Sequence, residues 1–179
     1  MKKILISPSG VFSYFTNKKL EQIPTAVLEK ATEFGSNFMF YLSKKLANEP
    51  ITDLRMPFSD FEKHEALFTN LINLLQNLGI KKINSVEKQV EGDIWHGDLD
   101  IECDDCFVEL KTRSNFNLEP LTIFQCEVYK KITGKKYFII YANRKNNLCM
   151  ELKPTKKQIE EAQEIINCFE KIYNYSLKK

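Results

Sequence analysis

The spacing of apolar positions changes along the chain, and this change predicts the order of helices and strands. From Thr25 and from Ser59, apolar side chains recur every three or four residues, which is typical of amphipathic helices. The second of these helices opens on a Ser-x-x-Glu capping pattern at Ser59 and ends at Gly79. Upstream, Pro8 between two serines predicts the start of a short additional helix.

After these helices the pattern changes to the alternation and the short apolar runs of β-strands. Gly92 and the pair Asp104-Asp105 are turn signals between consecutive strands. A second capping pattern, Thr155-x-x-Gln158, begins a final amphipathic helix. The remaining predicted elements are strands over 83–91, 93–102 and 107–112, a helix over 118–133, a buried strand over 137–142 and a short strand over 148–152.

This order predicts the fold class. The central sequence α, β, β, β, α, β favours an α/β (α+β) domain built on one mixed sheet flanked by helices, with extra helices at both termini. We expect a single domain over 1–179. It comprises an N-terminal helical part over 1–58, a core over 59–152 and a C-terminal helix over 153–179.

Charge and cysteine content narrow the class of protein. With 26 Lys plus Arg against 24 Asp plus Glu, the chain is neither a disordered polyelectrolyte nor strongly basic. A nucleic-acid partner would therefore have to be attracted by a local basic patch. No apolar run approaches the ~18 residues that span a bilayer, and the first apolar run is too short for a signal peptide. Five cysteines suit free thiols in a reducing compartment, so we expect a cytoplasmic protein without a membrane partner.

Acidic side chains are concentrated on two neighbouring predicted strands. Asp98 and Asp100 belong to one strand, and Glu109 and Lys111 to the next. Strand alternation places each pair on one face, and a hairpin between the strands would bring the faces together. Two adjacent carboxylates repel unless a cation lies between them. A hard divalent cation with one or two carboxylate ligands leaves room for water and phosphate, and a nearby ammonium can stabilise developing negative charge.

An exposed hairpin with alternating charge explains the same short pattern, because motifs of this length are common. The context favours the functional interpretation. The acids are followed by a helix and then by a buried strand, so a sheet can hold them rigidly.

Three motifs follow one another at suitable gaps and cover about thirty residues: Gly97-Asp98-Leu99-Asp100 as Gly-x-x-Asp, Glu109-Leu110-Lys111-Thr112 as acid-x-Lys-Thr, and Gln125-Cys126-Glu127-Val128-Tyr129 as Gln-x-x-x-Tyr. Together they resemble the PD-(D/E)XK nuclease superfamily, and more narrowly its RecB-like exonuclease branch. That branch includes the CRISPR-adaptation nucleases and the mitochondrial genome maintenance exonuclease. The resemblance implies a restriction-endonuclease-like αβββαβ core.

The resemblance also implies roles for individual residues. Asp100 and Glu109 would bind Mg²⁺ or Mn²⁺ with help from the Leu110 backbone carbonyl, and Lys111 would be the catalytic lysine. Gln125 would support the catalytic residues and Tyr129 the DNA strand. Basic residues near the motifs suit phosphate contacts, namely Arg113, Lys135 and Lys136, and two more acids are possible accessories, namely Glu87 and Asp98.

The chain departs from the branch at two places. Where relatives carry a metal-binding His a few residues after a helical Gly, this sequence has Met39 after Gly35. His64 lies in the following helix, and we expect it on a polar face. No cysteine precedes Cys103, so we expect no iron–sulfur cluster; Cys103 and Cys106 are interpreted as two free thiols at a hairpin tip.

The expected function is that of a metal-dependent deoxyribonuclease of bacterial or phage origin. It would hydrolyse phosphodiester bonds, as an exonuclease on DNA ends or single-stranded DNA in replication, recombination or repair. One alternative is a sequence- or structure-specific endonuclease on the same fold. The other is a catalytically weakened DNA-binding module, since the metal-binding His is missing.

Overall fold

A computed structural model describes residues 5–16, 25–51 and 58–176 of the chain. The capping role predicted for Ser59 lies outside the described side chains. Helices and strands follow in this order: α1 (Pro8–Thr16), α2 (Thr25–Leu46), α3 (Phe58–Asn77), β1 (Ile83–Glu91), β2 (His96–Cys103), β3 (Cys106–Arg113), α4 (Pro120–Thr133), β4 (Lys136–Asn143), β5 (Cys149–Glu151) and α5 (Lys156–Ser176).

The strands form one five-stranded mixed sheet in the order β1-β2-β3-β4-β5. β1, β2 and β3 are joined by two antiparallel pairings, β3 and β4 are parallel, and β5 returns antiparallel to β4. α4 is the crossover that a parallel pair requires. The fold class expected from the sequence, a mixed sheet flanked by helices, is therefore confirmed.

Helices cover both faces of the sheet, and successive side chains along β3 and β4 point to alternate faces. On β3, Phe107 packs into the cluster formed with α1, α4 and α5, whereas Val108 packs into the cluster formed with α2 and α3. On β4, Ile139 and Ile140 divide in the same way. Side chains at odd positions of β3, including Glu109, thus point towards the α4 side of the sheet.

Local signals explain the helix ends. At α5 the predicted capping box forms: the Thr155 N–H donates to the Gln158 Oε1 at 2.9 Å, and the Gln158 N–H donates to the Thr155 Oγ1 at 3.3 Å. α4 ends at Gly134, whose left-handed φ of 69° suits a residue without Cβ. Among the described residues, no helix combines the length and apolar character needed to cross a bilayer.

The starts of α4 and β2 lie two and three residues after the predicted ones. α4 begins at Pro120 instead of residue 118, because a residue before proline avoids the helical region; Glu119 is extended, with φ −86° and ψ 137°. β2 begins at His96 instead of residue 93, because the preceding segment forms a turn in which the Gly92 N–H donates to the Trp95 carbonyl at 2.8 Å. Trp95 is only 2% exposed and packs in the core.

The turn between β2 and β3 closes the hairpin on which the predicted site depends. Asp104 and Asp105 form its exposed tip. Cys103 and Cys106 flank the tip as free thiols, in agreement with the sequence interpretation. Each is only 1% exposed, so the thiols belong to the core beneath the tip.

Candidate active site

Asp100 and Glu109 meet where β2 and β3 separate. The two strands pair regularly as far as Ile101 and Val108, and the same register brings Asp100 opposite Glu109. At this level the Leu110 N–H donates a hydrogen bond to the Asp100 Oδ2 at 2.7 Å. The Asp100 side chain thus occupies the space between the separating strands. The hairpin therefore brings together the two acids that the sequence singled out.

The neighbouring strands are irregular at the same level. Leu99 and Ile101 pack into clusters on opposite faces of the sheet, although residues two apart share a face in a regular strand. On β1, Glu87 has a φ of 53°, which is uncommon for a residue other than glycine. The prediction that Asp98 and Asp100 share one face assumes regular alternation, which β2 does not keep around Asp100.

Glu109 and Lys111 form the buried part of the site. Both side chains leave the same face of β3, and the Lys111 ammonium donates to the Glu109 Oε1 at 2.5 Å. Glu109 is 2% exposed, whereas the Lys111 side chain retains 22% exposure, so the site opens to solvent beside the lysine. The other carboxylate oxygen, Glu109 Oε2, is buried and has no hydrogen-bond partner among the described residues.

The proximity of these groups changes their proton affinities. Burial and the neighbouring charge of Glu109 raise the pKa of Asp100 to about 7, although Lys111 and the Leu110 N–H oppose the change. Burial by itself would lower the pKa of Lys111. The charges of Glu109 and Asp100 outweigh burial, and the pKa of the lysine is raised. Lys111 is therefore firmly protonated.

The donor set suits a hard divalent cation. A buried carboxylate oxygen without a partner is costly and requires an explanation, and a bound cation would supply it. Mg²⁺ and Mn²⁺ accept oxygen ligands and often take only one or two carboxylates from the protein. Asp100 and Glu109 supply two. Within the described ranges, no group of three or more His, Cys, Asp or Glu side chains is close enough to hold a metal ion.

The predicted ligand role of the Leu110 carbonyl stays a prediction. The structure shows a second contribution from this residue: the backbone N–H of Leu110 fixes the orientation of the Asp100 carboxylate. Sequence reasoning missed this donor, because a backbone N–H carries no sequence signal.

Helix α4 closes the site from one side. Tyr129 is 4% exposed, and a Cβ added to Gly97 would lie 2.4 Å from its hydroxyl, so the phenol fits only because residue 97 is a glycine. Burial first, and then the charges of Glu109 and Asp100, raise the pKa of Tyr129. Gln125, one helical turn earlier, is partly buried and lies on the same side of α4.

Cys126 also faces the acids, and the sequence did not single it out. It is fully buried, and burial together with the charge of Glu109 raises the pKa of its thiol. The side chain that faces the carboxylates from α4 is therefore a neutral thiol. The only sequence signal was its position beside Gln125 within the third motif.

The two possible accessory acids lie at the edge of the site. Glu87 is exposed on β1 and falls opposite Asp100 in the register of the β1–β2 pair. Its charge contributes to the raised pKa of Asp100. Asp98 is exposed and pairs with Gln89; its charge contributes to the raised pKa of Tyr129.

On the opposite face of the sheet, α2 packs closely against β3. A Cβ added to Gly35 would lie 2.9 Å from the Thr112 Oγ1, so this glycine permits the close approach of α2 to β3. Met39, one turn later, packs into the apolar cluster between α2, α3 and the sheet. Met39, at the position where the resemblance implies a metal-binding histidine, is therefore partly buried against this cluster.

His64 does not lie on a polar face, and that prediction is wrong. The side chain is fully buried, and its ring stacks on Phe34 and Phe38 of α2 with centroid distances of 4.5 and 5.6 Å. Burial lowers its pKa. The polar neighbours of His64 in α3 suggested exposure, whereas the docking of α2 covers it.

The predicted phosphate-binding residues lie at two different ends of the sheet. Arg113 ends β3 and pairs with Glu119 at 2.8 Å. Lys135 and Lys136 lie beside the hairpin tip, where β4 begins. The Lys135 ammonium donates to the Glu102 Oε1 at 2.9 Å and to the Cys103 carbonyl at 2.6 Å. Lys136 pairs with Asp105 at 3.3 Å.

Comparison with known proteins does not identify a family. No family model matches the chain, and no curated protein matches it. Among solved structures, the crystal structure of SSO0001 shares 15% sequence identity over 89% of this chain and 83% of that chain, with a TM-score of 0.32. A likeness at this level does not support an argument about function.

Proposed function

We propose that this protein is a metal-dependent deoxyribonuclease that hydrolyses phosphodiester bonds, acting as an exonuclease on DNA ends or single-stranded DNA. The observation that carries the proposal is the buried Glu109 carboxylate, which has one oxygen bonded to Lys111, the other without a partner, and Asp100 beside it. The three motifs in which the sequence resembles RecB-like nucleases include Asp100, Glu109 and Lys111, and this resemblance also supports the proposal.

Asp100 and Glu109 would hold the cation, Mg²⁺ or Mn²⁺. When bound, this ion lowers the pKa of a coordinated water and neutralises charge on a phosphoryl oxygen. The Leu110 N–H keeps the Asp100 carboxylate turned towards Glu109, because the hydrogen bond restrains its orientation. The burial of Glu109 strengthens its electrostatic interactions, because little water screens them.

The raised pKa of Lys111 limits what the lysine can do. A firmly protonated ammonium cannot accept a proton from the attacking water. It can donate hydrogen bonds to that water or to phosphoryl oxygens, and it can stabilise the negative charge that develops on them. We therefore assign it the role of a charge-stabilising donor, which the ion pair with Glu109 positions.

Tyr129 and Gln125 complete one wall of the site on α4. Gln125, which is partly buried, would contact the DNA strand, and Tyr129, which is only 4% exposed, would support the carboxylates from behind. A role in replication, recombination or repair is part of the proposal. So is a reducing compartment such as the cytoplasm, which the five free cysteines support.

A divalent-ion screen on end-labelled DNA tests the proposal. Purified protein is incubated with Mg²⁺, Mn²⁺ or Ca²⁺ and with linear single-stranded, linear double-stranded and circular single-stranded DNA. We expect Mg²⁺- or Mn²⁺-dependent degradation of linear DNA, and none in EDTA. A circular single strand that survives indicates an exonuclease. A circle that is cleaved indicates the endonuclease alternative.

Glu109→Gln is the decisive variant in this assay. It keeps the size of the side chain and removes its charge, and we expect it to abolish degradation. Degradation at the wild-type rate would show that the nuclease activity does not use this site. DNA binding without cleavage under any divalent ion would favour the DNA-binding module.

A further inference from the structure

We infer that the DNA strand leaves the site over the carboxyl ends of β3 and β4, where Arg113, Arg144 and Lys145 bind its phosphates. This basic patch is called the carboxyl-end patch below. The inference rests on the proposed function, because it assumes a DNA substrate. It does not include Lys135 and Lys136, which lie at the opposite ends of the same strands.

The topology places these residues together. β3 and β4 are the parallel pair of the sheet, and they end side by side at Arg113 and Asn143. The Arg144 N–H donates to the Arg113 carbonyl at 3.1 Å, and the Lys145 N–H donates to the Asn143 Oδ1 at 2.9 Å. The backbone of the patch is therefore tied to the strand ends.

The patch is continuous with the candidate active site. Lys111 and Arg113 are two residues apart on β3 and thus leave the same face of that strand. Their Cα atoms are separated by roughly 7 Å along the strand. A strand whose scissile phosphate lies at Lys111 would reach the patch within the next nucleotides.

The two ends of the sheet differ in available positive charge. Among the described residues, neither the Arg144 guanidinium nor the Lys145 ammonium has an ion-pair partner. Arg113 does have one, but that pair is exposed, with side-chain exposures of 44% for Arg113 and 43% for Glu119, so it can be exchanged for a phosphate at little cost.

At the hairpin end, by contrast, the lysines already have partners. Lys135 is tied to Glu102 and to the Cys103 carbonyl, and its side chain is 22% exposed. Lys136 pairs with Asp105. A phosphate contact at Lys135 would break protein hydrogen bonds that are partly shielded from water, whereas one at Arg144 or Lys145 would break none that holds a described side chain. The Lys136–Asp105 pair is itself exposed, at 62% and 80%, so the contrast between the two ends of the sheet rests on Lys135.

The loops at the carboxyl ends also carry amide and hydroxyl groups, which contact phosphates in many protein–DNA complexes. They occur in the β3–α4 loop and in the β4–β5 loop: Ser114, Asn115, Asn117 and Asn146.

The test measures DNA binding in the Glu109→Gln background, in which the oligonucleotide is not degraded. Single-stranded DNA is titrated with the parent, with Arg144→Ala/Lys145→Ala, and with Lys156→Ala/Lys157→Ala. The last pair is a matched control on α5, where both side chains are at least 85% exposed. Titrations are repeated from about 50 to about 200 mM salt, the range over which phosphate contacts lose most affinity.

We expect the patch variant to bind roughly tenfold more weakly than the parent at low salt. The slope of log affinity against log salt should fall by about 1.4, which is ~0.7 for each lost contact on a single strand. The α5 control should match the parent. Equal affinity and equal slope for the patch variant and the parent would overturn the inference, as would a failure of the parent to bind DNA.

A parallel hydrolysis assay in the wild-type background separates the two proposals. If the wild type degrades DNA and Arg144→Ala/Lys145→Ala leaves KM unchanged, the patch is wrong and the nuclease stands. If no divalent ion supports degradation but binding depends on the patch, the nuclease is wrong and the patch stands.

Discussion

Two glutamates on the β2–β3 hairpin, Glu102 and Glu109, are both buried, but they differ in how many hydrogen bonds they accept. Glu102 is 9% exposed and accepts hydrogen bonds from Lys88, Ser85 and Lys135. These bonds, Lys88 foremost, outweigh burial and lower its pKa to about 2. Glu109 is 2% exposed, accepts one bond from Lys111 and leaves one oxygen without a partner.

We propose that this difference separates a structural carboxylate, Glu102, from one that belongs to a functional site, Glu109. The hydrogen bonds from Lys88, Lys135 and Ser85 outweigh the cost of burying Glu102, so its charge stabilises the hairpin. At Glu109 and Asp100, two acids share one ammonium, and the protein keeps an uncompensated negative site that a divalent cation would complete. Burial of an acid is not by itself evidence of a functional site. A buried acid with a carboxylate oxygen that lacks a hydrogen-bond partner supports one.

The largest expected difference between the two sites is in activity. Asp100→Asn and Lys111→Ala should each reduce Mg²⁺-dependent DNA degradation by at least ~10²–10³-fold, because each removes a charge at the reacting phosphate. Glu102→Gln should stay within a few-fold of wild type. Initial rates on linear single-stranded DNA measure both effects, and circular dichroism checks the fold. A comparable loss in Glu102→Gln would remove the distinction between the two carboxylates.

In stability the order of the two glutamates should reverse. Glu102→Gln leaves Lys88 and Lys135 without a charged acceptor and should cost roughly 1–3 kcal/mol. For a chain of this size each kcal/mol lowers Tm by about 2–4 °C. Glu109→Gln removes one of the two acids that share Lys111, and Asp100 remains beside the ammonium, so in EDTA its Tm should fall less than that of Glu102→Gln. Thermal unfolding in EDTA compares the variants, and a larger fall in Glu109→Gln would contradict the interpretation.

The stabilisation by Glu102 should depend on pH with a definite sign. Its pKa is about 2 in the folded protein, against an ordinary value of 4.5. Above the ordinary value the carboxylate is charged in both states and the full contribution is present. As the pH falls from 4.5 towards 2, the unfolded chain takes up the proton first and the contribution is lost. The Tm gap between wild type and Glu102→Gln should therefore close over this window in metal-free buffer. A gap that persists would assign the loss in the variant to packing instead of charge.

The smallest expected effect is stabilisation by the cation itself. At ten times its Kd, Mg²⁺ should stabilise wild type by about 1.4 kcal/mol, provided that only the folded state binds it. Glu102→Gln should show the same rise in Tm when Mg²⁺ is added, and Glu109→Gln should show none. An equal rise in Glu109→Gln would place the cation elsewhere on the protein.

How much of these two regions the sequence predicted depends on how far apart in the chain the interacting residues lie. The Glu109-x-Lys111 pair was predictable, because two residues on one strand share a face whatever the rest of the chain does. The compensation of Glu102 was not, because Lys88 and Lys135 come from β1 and from the start of β4, which only sheet pairing brings to β2. The burial of His64 was missed for a similar reason, since α2 covers it.

By itself the sequence determined the order of the elements, the helix ends set by Thr155 and Gly134, and the side of β3 that carries Glu109 and Lys111. All of these follow from backbone periodicity and from hydrogen bonds between residues close in the chain. Only the tertiary structure decided that β2 and β3 separate beside Asp100, so that the Leu110 N–H turns this acid towards Glu109. Strand separation depends on how a whole sheet twists and packs against its helices, and no local pattern encodes it.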